Sequence, residues 1–314
     1  TLTGLTLTSS QSAAEMTDLL GSAAVAANSV SVNATGMAEA QLVVVASGVA
    51  KIPANGITGV MSLSTAGLTD GEIGALLTDA SVGATVTVDA AAMTAADLTA
   101  LSTNIAKVDA ITNLTITDTQ SSAEIGNLLS KASGATVNAA SMDATDLGQV
   151  AANIGGVGSI TNLTLDSTMG ADLISELLGT KTADASVDVV ATGMSAAQLN
   201  AIGAAIAEID AITGTLALTN GVNASAISSI YAEYTGTTST VVATGMSSAQ
   251  LNAIDGAKVA ASGITGTFTI NADVTSTQIT ALVAKTAAGA TLTVDATGMS
   301  AAQITAVEVG IAVV

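Results

Sequence analysis

Threonines, aspartates and methionines carry whatever chemistry this chain can offer, because it has no Cys, no His and no Trp. Four carboxylates follow β-like runs, at Asp89, Asp118, Asp166 and Asp295, with Asn33, Asn138 and Asn271 at matching places. Stacked in successive coils, such oxygens could hold calcium, a hard cation bound through oxygen ligands. Their simpler role is to hydrogen-bond the turn that follows them. Val190 and Val242 occupy the same place in two copies and interrupt any continuous ladder. Calcium therefore ranks behind the turn role, and no cofactor is expected.

A second set of residues is more regular. Thr85 and Thr87, Thr115 and Thr117, Thr267 and Thr269, and Thr291 and Thr293 each sit two apart, the spacing that puts both side chains on one face of a strand. Ranks of hydroxyls on a parallel sheet could bind glycan, ice or a host surface. Thr is also a good strand former that tolerates water, and the near absence of aromatic residues, 1%, removes the usual sugar platform. Of the 9 Met residues, Met37, Met93, Met142, Met194, Met246 and Met299 precede helix-like runs, where a flexible apolar side chain closes a helix start. That use outweighs soft-metal binding. Glu208 and Asp210 have no His, Cys or Arg beside them to make an acid–base pair. Gly155-Gly156-Val157-Gly158 lacks the strand before it and the Lys after it that a phosphate loop needs. No enzyme is expected.

These residues are positioned by a repeat. Val187 to Thr219 holds a β-like run, a turn, an amphipathic helix pattern and the next β-like run. Ser195 and Gln198 have capping-box spacing, Met194 and Leu199 staple spacing. Leu199, Ile202, Ile206 and Ile209 form one apolar stripe at the helical period. Ile212 to Thr219 alternates like a half-buried strand, with Leu216 and Leu218 on one face and Thr215 and Thr219 on the other. The Met-marked turns return at intervals of roughly fifty residues, and an apolar residue follows each at the staple position: Leu42, Leu98, Leu147, Leu199, Leu251 and Ile304. A second type of unit opens with Ile-Thr-Gly or Ile-Thr-Asn at Ile57, Ile111, Ile160, Ile212 and Ile264. Ser12 with Glu15, Thr69 with Glu72, Ser121 with Glu124 and Thr275 with Gln278 mark its helix starts.

About twelve strand–helix units tile the whole chain, with starts near 1, 30, 57, 84, 111, 135, 160, 186, 212, 239, 264 and 290. The spacing of Ile111, Leu114 and Ile116, and of Ile160, Leu163 and Leu165, resembles the leucine-rich repeat. The expected fold is an α/β right-handed β–α solenoid, with a parallel sheet on the inner curve and helices outside. Thr1 at one end and Ile311-Ala312-Val313-Val314 at the other, inside a helix pattern, read as continuous with a longer polypeptide.

Charge narrows the partners. Asp and Glu number 25 against 6 basic residues, all Lys, for a net charge of −19. Without a basic patch to displace counterions, nucleic acid is not an expected partner, nor is an anionic membrane surface. Mean hydropathy is high, at +0.63, but polar residues interrupt every apolar run before the length needed to insert in a bilayer. With Thr192-Gly193-Met194-Ser195-Ala196-Ala197-Gln198-Leu199 and Asp295 to Gln303 in view, the chain resembles the giant repeat-built cell-surface proteins of marine cyanobacteria and similar bacteria. That resemblance implies export to the cell surface and a structural, adhesive or motility-related role, with copies of the same chain or further repeats as partners.

Overall fold

Short strands form here because the β-like runs alternate apolar and hydroxyl residues, and helices form because each apolar stripe begins at a cap. The computed structural model describes residues 1–64, 67–180 and 187–311. Among them, twelve α-helices alternate with short strands, and every strand pair is parallel. Parallel neighbours joined through a helix are the repeating β–α unit. The fold is a β–α solenoid of the leucine-rich-repeat kind. The expected unit start near 186 and the last residues of the C-terminal helix pattern, 312–314, lie outside the described residues.

The chain forms two compact units, Thr1–Thr161 and Asn162–Val314. In the first, Val60–Leu63, Thr85–Asp89 and Ala110–Thr112 lie side by side, with Met61 opposite Val86 and Val88 opposite Ile111. Those four side chains are buried, as are Ile73, Leu76 and Leu77 of the helix Asp70–Asp79. In the second, Leu163–Leu165, Val187–Val190 and Ala211–Thr213 align Leu165, Val189 and Ile212 in one fully buried rank. Each such side chain stabilises the stack by about 1.5–3 kcal/mol. The other face of these strands is the one that carries Thr.

Reciprocal capping boxes close at Ser12/Glu15, Thr69/Glu72, Thr94/Asp97, Ser121/Glu124, Ser195/Gln198 and Ser247/Gln250. Each satisfies two backbone N–H groups that a helix start leaves free. Four expectations need correction. The stripe through Ile209 is not one helix: Ala196–Ala204 ends there, and a 3₁₀ turn at Ile206–Glu208 brings the chain back towards the sheet. Ile206 is consequently only half-buried, while Ile209 is buried. Thr275 does cap Gln278, but the Gln278 side chain turns away to the carbonyls of Leu251 and Ile254. The staple is not covered in every copy, since Ile304 is 42% exposed where Leu251 is 0%.

The fourth correction concerns the strands of the Ile-Thr-Gly units. Ile212 to Thr219 is not one strand but two, Ala211–Thr213 and Ala217–Leu218. Gly214 between them has φ +79°, as do its counterparts Gly59 at +84° and Gly266 at +83°. Asn113 and Asn162 adopt the same left-handed conformation, at +53° and +54°, which Gly and Asn accept more readily than other residues. In the three Gly copies an added Cβ would run into the hydroxyl of Thr35, Thr192 or Thr244. The first half of the broken strand pairs with the unit before it and the second half with the unit after it, as Thr58 with Asn33 and Val60 with Thr85 show.

Candidate functional site

The regular Thr face is the surface most suited to a ligand, and its residues divide by how they are used. The Thr of each Ile-Thr-Gly or Ile-Thr-Asn start donates its hydroxyl to a carbonyl of the preceding strand. Thr58 reaches Val32 O at 3.0 Å, Thr112 Val88 O at 3.3 Å, Thr161 Val137 O at 3.4 Å, Thr213 Val189 O at 3.2 Å and Thr265 Val241 O at 3.3 Å. These five hydroxyls brace the sheet where the strand breaks.

The Thr pairs flagged by their spacing fare differently. Thr267 stands opposite Thr291 and Thr269 opposite Thr293, a two-by-two array of exposed side chains. Thr115 is exposed and opposite Thr136, whereas Thr117 is half-buried and bonds Thr119 and Gln120. Thr85 is exposed beside Val60, and Thr87 shares a 3.3 Å hydrogen bond with Ser62. The structure therefore assembles the expected ranks only locally. Among the described residues the one full array is on Thr267–Ile270 and Thr291–Val294.

Asp89, Asp166 and Asp295 each bond the turn that follows them. Asp89 Oδ1 accepts the Ala91 N–H at 3.1 Å and the Asn113 amide at 3.0 Å, and these donors, Asn113 first, hold its carboxyl below the usual range. Asp166 accepts the Thr168 N–H at 2.8 Å. Asp295 is kept low by the Thr297 hydroxyl and by the Thr297 N–H at 3.0 Å. Asp118 is exposed in a turn that Gln120 closes through the Thr117 N–H at 2.9 Å. Asn33 and Asn271 repeat the pattern on Thr35 and Asp273. Among the described residues no group of three or more acidic side chains could hold a metal ion. Asp210, set beside Glu208 in the sequence, accepts the Val187 N–H at 2.6 Å, as Asp109 accepts that of Val86 at 2.7 Å.

Spacing alone did not show the contacts that tie unit to unit. Gln41, Gln198, Gln250 and Gln303 are buried, and each side-chain oxygen caps its own helix. Each amide then reaches back to two carbonyls of the preceding unit. Gln198 meets Ser167 O at 3.2 Å and Met169 O at 2.5 Å; Gln303 meets Ala272 O and Val274 O, both at 2.8 Å. The sequence signal was the recurrence of Gln, not Glu, after the Met-marked turns: only an amide both accepts and donates. Four lysines also bridge units. Lys51 donates to Val25 O at 2.7 Å, Lys107 to Ala80 O at 2.6 Å, Lys285 to Val259 O at 2.9 Å, and Lys258 to the carbonyls of Tyr231 and Tyr234. Met142, Met194 and Met246 are buried at the helix starts, as a staple requires.

No family model matches the chain, and no curated protein matches it. Among solved structures it is similar to the leucine-rich repeat-containing protein LegL7 from Legionella pneumophila, at 15% identity and a TM-score of 0.25, over 84% of this chain and 92% of that one. It is also similar to a chain in the complex of Rad7 and Elc1 in yeast, at 10% identity and a TM-score of 0.23, over 93% of this chain and 69% of that one. The parallel strand–helix repeat of the chain itself carries the fold assignment: this is a leucine-rich-repeat-like repeat protein.

Proposed function

We propose that the chain is a non-enzymatic structural repeat protein of an extracellular filament, stalk or surface layer, built and extended by stacking one coil on the next. The recurring glutamine bracket carries this reading. Gln41, Gln198, Gln250 and Gln303 each hold one coil against its predecessor through the same two-carbonyl contact. Stability in such an array is a sum of near-neighbour interfaces, which suits a load-bearing strut. Exposed Ile304 and Val309, at 42% and 57%, offer apolar surface to copies of the chain or to further repeats. No described helix is long and apolar enough to cross a membrane. Negative-stain images of the purified chain test the reading: fibres support it, and dispersed particles at every concentration contradict it.

The two-by-two array of Thr267, Thr269, Thr291 and Thr293 favours a second reading, an adhesin-type module that binds glycan, ice or a host surface through its sheet. Thr→Lys substitutions at those four positions separate the two. Loss of binding with assembly intact favours the adhesin; loss of neither favours the strut alone.

A further inference from the structure

Two half-made contacts in the stack match each other. Among the described residues five sheets have three strands, each with the strand of a Met-marked unit in the middle, and the sixth has two, Thr267–Ile270 and Thr291–Val294. The sixth lacks the half-strand that follows every other Met-marked unit: Ile57-Thr58, Ile111-Thr112, Ile160-Thr161, Ile212-Thr213 or Ile264-Thr265. Leu2-Thr3 is the same half-strand without a strand before it. It is followed by left-handed Gly4, at φ +72°, as Ile111-Thr112 is by Asn113. Leu2 is already held on its own coil by the bridge to Val25 that Ile57 makes to Ala80 and Ile111 to Ala132. It is nevertheless 52% exposed, where the five isoleucines are 0%.

We infer that a second copy of the chain docks head to tail, its Leu2-Thr3 completing the two-stranded sheet beside Thr291–Val294. The inference rests on the stacking reading above and gives it a direction and a register. The template is the contact made inside the chain, where Ile111 lies opposite Val88 and Thr112 opposite Asp89. There the Ala90 N–H donates to Thr112 O at 2.9 Å, and the Thr112 hydroxyl donates to Val88 O at 3.3 Å. Val294 and the exposed Ala296 hold the places of Val88 and Ala90, so Thr3 of another copy meets the same acceptor and donor. The apolar side chains agree. Leu5 and Leu19 are half-buried where Leu114 and Leu128 are buried, and Leu292 and Val294 are half-buried where Val86 and Val88 are buried. The order of units agrees too: the coil at Leu2 is of the Ile-Thr type and the coil at Thr291 is Met-marked, so joining them continues the alternation. Pairing two like coils about a two-fold axis would instead set their strands antiparallel, unlike any strand pair described. A head-to-tail contact uses a different surface on each partner, so a dimer keeps one of each free and can grow.

Mixed cysteine variants test the register. Chains carrying T3C and chains carrying D295C are combined at physiological salt, oxidised mildly and imaged by negative stain. Thr3 and Asp295 are both exposed in the single chain and would pair as Thr112 does with Asp89. The mixture should give disulfide-linked chains, whereas either variant alone should not. T3C mixed with T293C, two residues out of register, should give none. L2E and I304E, at side chains already exposed in the single chain, should each weaken association about tenfold in sedimentation. V82E, at an exposed side chain elsewhere, should leave it unchanged. Fibres without the T3C–D295C link overturn this docking and leave the stacking reading standing. Linked chains without fibres support the docking and contradict the filament. Unlinked monomers overturn both, and undiminished association of L2E or linkage of T3C to T293C overturns the docking.

Discussion

Two strand breaks in this molecule solve one problem by different means. At Gly214 the chain turns through a left-handed glycine, and the N–H of Thr215 just beyond it is taken by Thr192 Oγ1 of the preceding unit at 2.8 Å. Gly59 with Thr35 and Gly266 with Thr244 repeat the arrangement, at 3.0 Å each. At Asn113 there is no glycine, and Ala91 stands where the three glycine copies have Thr35, Thr192 and Thr244. Here the Asn113 side chain instead reaches Asp89 Oδ1 at 3.0 Å. Asp89 is half of a polar pair that replaces a Thr–Gly pair, and Val190 and Val242 need no carboxylate because Thr192 and Thr244 already serve their breaks.

Breaking the glycine solution has the largest expected effect. G214A puts a Cβ on a left-handed residue and into Thr192 Oγ1, and should cost about 1–3 kcal/mol in urea unfolding. N113G at the other break should be mild, since glycine accepts that conformation freely. Next comes T192V, which leaves the Thr215 N–H without its protein partner. A loss of about 0.5–1.5 kcal/mol is expected, with the slope against urea unchanged. Exchanging one solution for the other sharpens the comparison: the double variant A91T/N113G should melt close to the parent, and below N113G alone if the two solutions are not equivalent.

Acid titration gives the smallest and most selective effect. Donors hold Asp89 below the ordinary carboxylate range, as Ser12 does for Glu15 and the Asp146 and Thr145 N–H groups do for Asp143. A folded-state pKa below the unfolded one contributes stability that is present above the unfolded value and is lost as pH falls through the folded value. The urea midpoint should therefore be level near neutrality and decline below about pH 4. D89N should flatten part of that decline, whereas T192V, at a break held by neutral groups, should leave its shape alone.

Much of the molecule could be read from local spacing. Ser12 with Glu15, Thr69 with Glu72 and Ser195 with Gln198 act over one helical turn, so three residues identify each cap. The alternation of Leu216 and Leu218 with Thr215 and Thr219 correctly located the buried face. The break at Gly214 escaped because period-two alternation passes smoothly through a single left-handed residue. The glutamine brackets escaped for another reason: the partners of Gln198 and Gln303 lie about thirty residues back, beyond any local window. The short helix after Ser247 escaped for a third reason, because the repeat itself is almost unchanged there. Ala243 to Ile254 differs from Ala191 to Ile202 at one residue, Ser248 for Ala196, yet the helices have different lengths. The residues that follow decide it, Gly203-Ala204-Ala205-Ile206 in one case and Asp255-Gly256-Ala257-Lys258 in the other.

The β–α solenoid requires coils stacked in one parallel register, and cysteine pairing measures that register directly. The chain has no cysteine of its own, so introduced pairs report without background. Thr269 and Thr293 are register partners on the exposed face. T269C/T293C should form an intramolecular disulfide on mild oxidation. T269C/T291C, displaced by two residues and roughly 8 Å apart, should not. Pairing in the second variant, or in neither, would contradict the stacked-coil account.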